Sequence, residues 1–94
     1  MGSDKIVFRV HALQRMFQRQ IGSEDVRRAL DEGEVVADYP EDKPYPSKLV
    51  LGHAGSRPLH IVVAYNKADN EKIVVTVYEP EPGKWDADFR RKKK

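Results

Sequence analysis

Three side chains that could bind phosphate and move protons stand four residues apart near the start of the chain: His11, Arg15 and Arg19. Residues four apart lie on one face of a helix, so the three would form a polar stripe about two turns long. Guanidinium groups bind phosphate oxygens through paired hydrogen bonds, and an imidazole accepts and releases protons near neutral pH. The stripe therefore predicts a phosphodiester-binding helix face; the alternative is a solvated face whose arginines pair with nearby acids.

A second polar group falls in segments rich in Val, Ile and Tyr: His60, Thr76 and Tyr78, with Arg57 just ahead of His60. Cleavage of RNA through its 2′-hydroxyl needs a proton acceptor, a proton donor and a cation beside the charged phosphorane. Tyr65, Thr76, Tyr78 and Arg57 offer the hydroxyls and the guanidinium that a metal-free ribonuclease uses, and His60 is a further candidate for moving protons. The alternatives are structural, because tyrosine is common in strands for packing reasons and a half-buried histidine can be a core residue.

Other chemistries find less support in the sequence. The 94 residues include no cysteine, which removes disulfides, thiolate metal sites and cysteine nucleophiles. His53 and His60 are expected to face each other across a hairpin, but no carboxylate follows them at a metal-ligand spacing. The sequence also lacks a glycine-rich phosphate loop and a Ser-His-Asp spacing. We therefore expect neither a metal nor a cofactor.

The stripe of His11, Arg15 and Arg19 requires a helix, and the apolar residues beside it have helical spacing. They predict a helix over residues 11–20 with its apolar side in the core. If Phe17 is a core residue, its replacement by alanine should cost about 3–5 kcal/mol of folding free energy. The residues expected in the core are Ala12, Leu13, Met16 and Phe17.

A second helix is expected to end at Gly33. Ser23 is a suitable N-cap, acidic residues follow it at the positive end of the helix, and glycine is common where a helix stops. Val26, Ala29 and Leu30 give this helix an apolar stripe. Because only a short turn separates the two helices, we expect an αα-hairpin packed on one side of a sheet.

After Gly33 the apolar residues alternate, which indicates β-strands. The predicted strands are 34–39, 48–54, 59–66 and 72–79, and residues 5–10 form a short strand or an extended lead-in. The predicted fold is therefore α+β, with an N-terminal αα-hairpin packed on an antiparallel meander of about four strands. Residues 5–89 are expected to form one domain, and residues 90–94 a disordered basic tail.

The hairpin turns decide which residues share a face of the sheet. Symmetric turns would pair His53 with His60 and would put Tyr65, Thr76 and Tyr78 together on one face. Both faces are apolar, and two short helices can cover only one of them. We therefore expect the face with the tyrosines to be the open one, as a groove, a partner site or a seat for the aromatic residues near the C-terminus.

The net charge of +2 comes from 17 basic and 15 acidic side chains that are unevenly distributed. Residues 90–94 contain five of the basic groups, which leaves 12 basic against 15 acidic groups in residues 1–89. A basic tail can bind phosphates, or it can simply be solvated. The chain has no apolar run long enough to span a membrane and no signal-like N-terminus, so we expect a cytoplasmic protein without membrane contact.

The sequence HALQRMFQRQIGSEDV, which begins at His11, and the later segments GEVVADYP, RPLHIVVAY and IVVTVYEP resemble a family of short bacterial domains of unknown function. The resemblance covers about residues 7–89. It implies a small α+β fold similar to the RelE and BrnT ribonuclease toxins of type II toxin–antitoxin systems, with a zinc-finger or helix-turn-helix antitoxin encoded nearby. The positions that match the family pattern are His11, Arg15, Arg19, Gly33, His60, Thr76 and Tyr78.

Two functions are consistent with these observations. The first is a metal-free mRNA endonuclease, the toxin of a type II toxin–antitoxin system, with its site in a groove between the first helix and the sheet. The second is a non-enzymatic interaction module or degenerate toxin that binds a partner, or a second copy as a homodimer, through its sheet face; the acidic body favours it. For the endonuclease the expected residues are His11, His60 and Tyr78 in catalysis and Arg15, Arg19, Arg57 and Thr76 in binding RNA, free or on the ribosome.

Overall fold

The computed structural model describes residues 5–93, which form two helices and one five-stranded sheet. In chain order the elements are β1 (Lys5–Phe8), α1 (Val10–Arg19), α2 (Ser23–Glu32), β2 (Glu34–Tyr39), β3 (Ser47–Ala54), β4 (Arg57–Asn66) and β5 (Glu71–Tyr78). Every predicted element is present, with ends within about two residues of those expected. Neither helix in the described part of the chain is long and apolar enough to cross a membrane.

The sheet is mixed, whereas the sequence predicted an antiparallel meander of about four strands. Its order is β1-β5-β4-β3-β2, and β2 to β5 are antiparallel neighbours, as the short connections predicted. β1 is the fifth strand and runs parallel to β5, with Phe8 beside Val74. Alternation identified β1 as extended but could not give its partner, because the partner lies near the other end of the chain.

Both helices pack on the sheet face that the sequence predicted to be open. α1 packs mainly on β5, and α2 packs mainly on β3. The expectation was wrong because both faces are apolar, and alternation alone cannot tell which of them the helices cover. We call this surface the helix-covered face; its core contains Ala12, Met16, Val26, Ala29, Val50, Leu59, Ile61, Val63, Val74 and Val77.

The apolar side of α1 is narrower than predicted. Ala12 and Met16 are four residues apart and buried, whereas Leu13 is 48% exposed and Phe17 is 86% exposed. The prediction that Phe17 belongs to the core is therefore wrong. α1 meets the sheet along one line of residues, and in the described chain no further layer covers its outer side.

The close approach of α2 to β3 depends on Gly52. A Cβ atom built on Gly52 would lie 2.4 Å from the Cβ of Ala29, which is far inside the contact distance of two carbon atoms. α2 begins one residue earlier than expected, because Gly22 is the N-cap and donates its N–H to Asp25 at 3.1 Å. It ends at Gly33, as predicted.

A β-bulge in β5 changes which side chains share the opposite face. Val63 still pairs with Val74, but the next paired residue of β5 is Thr76, so one residue is extra. Beyond this bulge, Thr76 and Tyr78 lie on the face opposite the helices, while Tyr65 packs against the helix-covered core. The expected grouping of the three side chains on one face was therefore wrong.

The β3–β4 hairpin also differs from the expected register. Its turn consists of Gly55 and Ser56, and the positive φ of 63° at Gly55 suits such a tight turn. As a result His53 lies beside Pro58 and not beside His60. The expected histidine pair does not form, because Arg57 and Pro58 belong to β4 and not to the turn, which shifts the pairing by two residues.

Residues 80–93 form a strap over the face opposite the helices, which we call the strap-covered face. The Trp85 side chain is 8% exposed and lies edge-on against His60, with ring centroids 4.3 Å apart. The strap folds back on itself, because Asp86 donates its N–H to the Arg91 carbonyl at 2.8 Å. The prediction that the C-terminal aromatic residues pack back on the domain holds for Trp85.

The end of the strap is tied to β2. Arg90 donates two hydrogen bonds to the Glu34 carboxylate, at 2.7 and 2.8 Å, and we call this pair the Arg90–Glu34 latch. The sequence predicted a disordered tail from residue 90. Residues 90–93 instead have defined partners, and Lys94 lies outside the described residues.

Candidate functional site

A groove of about 300 Å³ lies where α1 passes the edge of β5. Within the described chain, β1 pairs only with residues 71–74 of β5, so the rest of β5 lies at the sheet edge beside α1. The lining of the groove includes four of the residues that the sequence singled out: Arg15, Arg19, Thr76 and Tyr78. The other residues that line this α1–β5 groove are Glu79, Glu81, Lys84 and Trp85.

Tyr78 is hydrogen-bonded to a fully buried histidine, His60. His60 is 0% exposed, its Nδ1 lies 3.2 Å from the Tyr78 hydroxyl, and its Nε2 lies 2.9 Å from the Phe89 carbonyl. A carbonyl oxygen can only accept, so Nε2 carries the proton and Nδ1 accepts from the hydroxyl of Tyr78. Burial lowers the pKa of His60, against the opposing effect of the Phe89 carbonyl, so the ring is a neutral proton acceptor at neutral pH.

Tyr78 is the member of this pair that lines the groove. Burial, with a smaller contribution from Tyr39, raises the pKa of the phenol, so it keeps its proton at neutral pH. Because that proton is directed to His60, the oxygen can accept a hydrogen bond from a molecule in the groove. The pair can therefore take a proton from a bound hydroxyl and pass its own proton inward.

The groove has two arginines available for an anion. Neither Arg15 nor Arg19 forms an ion pair with another residue in the range 5–93. The carboxylates nearby are partnered: Glu79 accepts from Arg57 at 2.7 Å, and Glu81 lies 3.8 Å from the Lys84 ammonium. The free guanidinium groups therefore give this wall a surplus of positive charge, which suits phosphate.

Arg57 holds the end of α1 against the sheet. Its guanidinium donates to the Arg19 carbonyl at 2.7 Å and to the Gln20 carbonyl at 3.2 Å, as well as to Glu79. Cations at a helix C-terminus stabilise it by satisfying its last carbonyl groups. The geometry gives Arg57 a structural task beside the groove, and its contact with RNA stays a prediction.

Two of the predicted histidines lie apart from this arrangement. His11 is exposed in the first turn of α1 and is not among the described residues that line the groove. His53 is exposed at the far end of β3. In the described chain no three His, Asp or Glu side chains stand close enough to hold a metal ion.

The sequence did not indicate that the strap contributes to this site. Trp85 forms part of the groove wall, and the Phe89 carbonyl sets the proton position on His60. The one available signal was the single tryptophan of the chain, placed in a polar segment rich in Pro, Gly and charge. Nothing in the sequence indicates that Trp85 packs on His60. The contact of the Phe89 carbonyl could not be predicted either, because every residue has a backbone carbonyl.

Comparison with known proteins supports the family that the sequence suggested, at a coarse level. Residues 8–79 match the family described as a domain of unknown function, DUF4258. The comparisons with curated proteins and with solved structures gave no match. The matched span runs from the end of β1 to the residue after β5, so it contains both helices and the His60–Tyr78 pair but not the strap. The chain therefore belongs to the DUF4258 family.

Proposed function

We propose that this chain is a metal-independent endoribonuclease of the RelE-like toxin type that cleaves RNA in the α1–β5 groove. One observation carries the proposal: Tyr78, which is hydrogen-bonded to the buried neutral His60, lines the same groove as Arg15 and Arg19, which have no ion-pair partner among residues 5–93. Cleavage through the 2′-hydroxyl requires a proton acceptor and a cation, which these residues supply, and a proton donor, which is water in the open groove.

In the proposed reaction, the 2′-oxygen of the RNA attacks the adjacent phosphorus. The 2′-hydroxyl proton moves to the Tyr78 oxygen while the phenol proton moves to Nδ1 of His60, so His60 acts as the base through Tyr78. Arg15 and Arg19 stabilise the negative phosphorane oxygens. The bond from phosphorus to the 5′-oxygen breaks, and water in the open groove protonates that oxygen. The products are a 2′,3′-cyclic phosphate and a 5′-hydroxyl.

The test uses a fluorescent single-stranded RNA in excess EDTA, and an identical strand with 2′-deoxyribose at the cleavage position. We expect the RNA to be cleaved to a cyclic phosphate end and the deoxy strand to stay intact. Tyr78→Phe should lower the rate about 100- to 10,000-fold, as loss of a general acid–base group does. Tyr65→Phe is the matched control, because it removes a hydroxyl from the helix-covered face.

The toxin part of the proposal has its own test. Induced expression of the wild-type chain should arrest bacterial growth, and expression of the Tyr78→Phe variant should not. RNA that stays intact at high protein concentration, with and without ribosomes, would overturn the endoribonuclease proposal. Growth arrest by both forms would show that arrest does not come from this groove.

A second candidate function is protein binding through α1, and one specific observation favours it. Val10, Leu13 and Phe17 are 70%, 48% and 86% exposed, and their spacing puts them on one outward stripe. α1 carries arginines and a histidine but no Asp or Glu, so two copies of α1 would repel each other. We therefore propose an acidic amphipathic helix as the occupant; in a toxin–antitoxin pair it would belong to the zinc-finger or helix-turn-helix antitoxin.

Fluorescence anisotropy with a synthetic helical peptide, with leucines on one side and glutamates beside them, tests this candidate. Phe17→Ser should weaken binding by about tenfold or more, because it removes the central apolar contact. Val35→Ser is the control, since Val35 is 50% exposed on β2 and lies outside α1. A wild-type chain that sediments as a dimer, and becomes monomeric with Phe17→Ser, would overturn the acidic helix in favour of a second copy.

A further inference from the structure

The proton position on His60 depends on a segment outside the matched family region. The strap supplies the Phe89 carbonyl that accepts from Nε2 at 2.9 Å, and the Trp85 ring that packs edge-on against the imidazole. If that carbonyl moved away, the buried Nε2–H would lose its partner. The ring could then carry its proton on Nδ1 instead, where it would donate to Tyr78 and no longer accept from it.

The position of the Phe89 carbonyl is fixed from both sides. Phe89 has a φ of 61°, a left-handed conformation that a residue with a side chain adopts only when its surroundings impose it. Its N–H donates to the Asp86 carbonyl at 2.8 Å. The next residue, Arg90, is held by the two hydrogen bonds of the Arg90–Glu34 latch. The latch therefore anchors the residue that directly follows the carbonyl.

We propose that Arg90 is a positioning residue for the α1–β5 groove: through the latch to Glu34 it holds the Phe89 carbonyl on His60 and keeps Nδ1 free to accept the Tyr78 proton. Arg90 would act without touching RNA, from the sheet edge opposite β5. The consequence for RNA cleavage rests on the proposed function. The tautomer of His60 does not, and it can be measured by itself.

Nitrogen-15 NMR of the imidazole rings reports the tautomer directly, and loss of one signal set in His60→Gln assigns His60. In the wild type we expect a protonated Nε2 and an unprotonated Nδ1. Arg90→Ala should give a mixture of tautomers. It should also shift the fluorescence emission of Trp85 to longer wavelength, and this signal comes from one residue because the chain has a single tryptophan. Arg91→Ala is the matched control, since it removes the same charge from the next residue.

A rescue separates positioning from simple loss of charge. The Asp88 carboxylate lies 3.4 Å from the Arg90 guanidinium and would repel a glutamate there, so the charge exchange also replaces it by asparagine. The variant Glu34→Arg with Arg90→Glu and Asp88→Asn rebuilds the ion pair with its charges exchanged and should restore the wild-type tautomer. Neither Glu34→Arg alone nor Arg90→Glu alone should have that tautomer. Circular dichroism checks the fold of each variant, and Arg90→Gln, which retains most of the side-chain stem, replaces Arg90→Ala if that variant does not fold. Unchanged His60 signals in a folded latch variant would overturn the proposal.

Cleavage assays on the same variants distinguish the two proposals. If the wild type cleaves RNA, Arg90→Ala should lower the rate about 100-fold, as misplacement of a catalytic group can do, with RNA binding unchanged. If the tautomer responds to Arg90 but the wild type cleaves no RNA, the positioning role stands and the proposed function fails. If cleavage is present and Arg90→Ala leaves both rate and tautomer unchanged, the proposed function stands and the positioning role fails.

Discussion

The two faces of this sheet are covered in different ways. On the helix-covered face, Ile61, Val63 and Val74 are 0% exposed beneath apolar side chains of regular helices. On the strap-covered face, the cover is an irregular segment whose large buried side chain is Trp85, and whose far end is held by the Arg90–Glu34 latch. The fully buried side chains of the first face are apolar, whereas the second face encloses an imidazole.

This difference follows from where backbone carbonyls are available. A buried imidazole needs a partner for each ring nitrogen. The carbonyls inside a helix are already bonded within it, so a helix packed over His60 could not offer one. An irregular strap can, and Phe89 does so. The less regular cover is therefore what allows polar chemistry on one face of this small sheet.

Truncation of a core side chain tests the helix-covered face most strongly. Ile61→Ala should lower the free energy of unfolding by about 2–5 kcal/mol, because it leaves a cavity under both helices, and this is a large part of the stability of so small a domain. Phe17→Ala should change it by less than about 0.5 kcal/mol, as an exposed substitution does. Urea unfolding measures both; a large loss with Phe17→Ala would show that α1 is packed on its other side.

The next effect concerns how closely a helix can cover the sheet. Gly52→Ala should cost about 1–3 kcal/mol, because the new methyl group would overlap Ala29 and push α2 away from β3. Gly83→Ala is the control in the strap, where a Cβ meets open space. Thermal unfolding followed by circular dichroism compares the two. Equal melting temperatures for both variants would contradict the close approach of α2.

The strap-covered face should be the pH-sensitive one. Burial holds the pKa of His60 below its ordinary value of about 6.5, so the unfolded chain binds a proton more readily than the folded chain. The stability contributed by neutral His60 is therefore present above the unfolded pKa and lost as pH falls toward the folded pKa. The urea midpoint of the wild type should decrease from pH 8 to pH 5. This decrease should be absent in His60→Gln and still present in His53→Gln.

The smallest expected effect concerns RNA binding beside the strap-covered face. Arg15→Ala should weaken binding of single-stranded RNA a few-fold and reduce the slope of log K against log salt by about 0.7, the value for one lost phosphate contact. Arg28→Ala, on exposed α2 surface, should leave the slope unchanged. Anisotropy titrations at several salt concentrations measure both slopes. Equal slopes for the two variants would move the RNA site away from the α1–β5 groove.

Local sequence features predicted the elements well. The N-terminal helix stripes, the glycine at the end of α2 and the alternation after Gly33 gave the helices and strands nearly in full. Part of the site was also predictable, since Arg15, Arg19, Thr76 and Tyr78 line one groove. The contributions of Trp85 and of the Phe89 carbonyl were not, because they depend on how an irregular segment folds back.

The spacing of apolar residues was enough to predict which residues are helical and which are extended, because the period of apolar residues is a local property of each segment. The folded chain alone shows which sheet face the helices cover, that β1 joins β5 in parallel, and that one extra residue in β5 puts Tyr78 on the same face as His60. These features are not local, because a one-residue change of register reverses every following side chain, while the packing that fixes the register comes from distant parts of the chain.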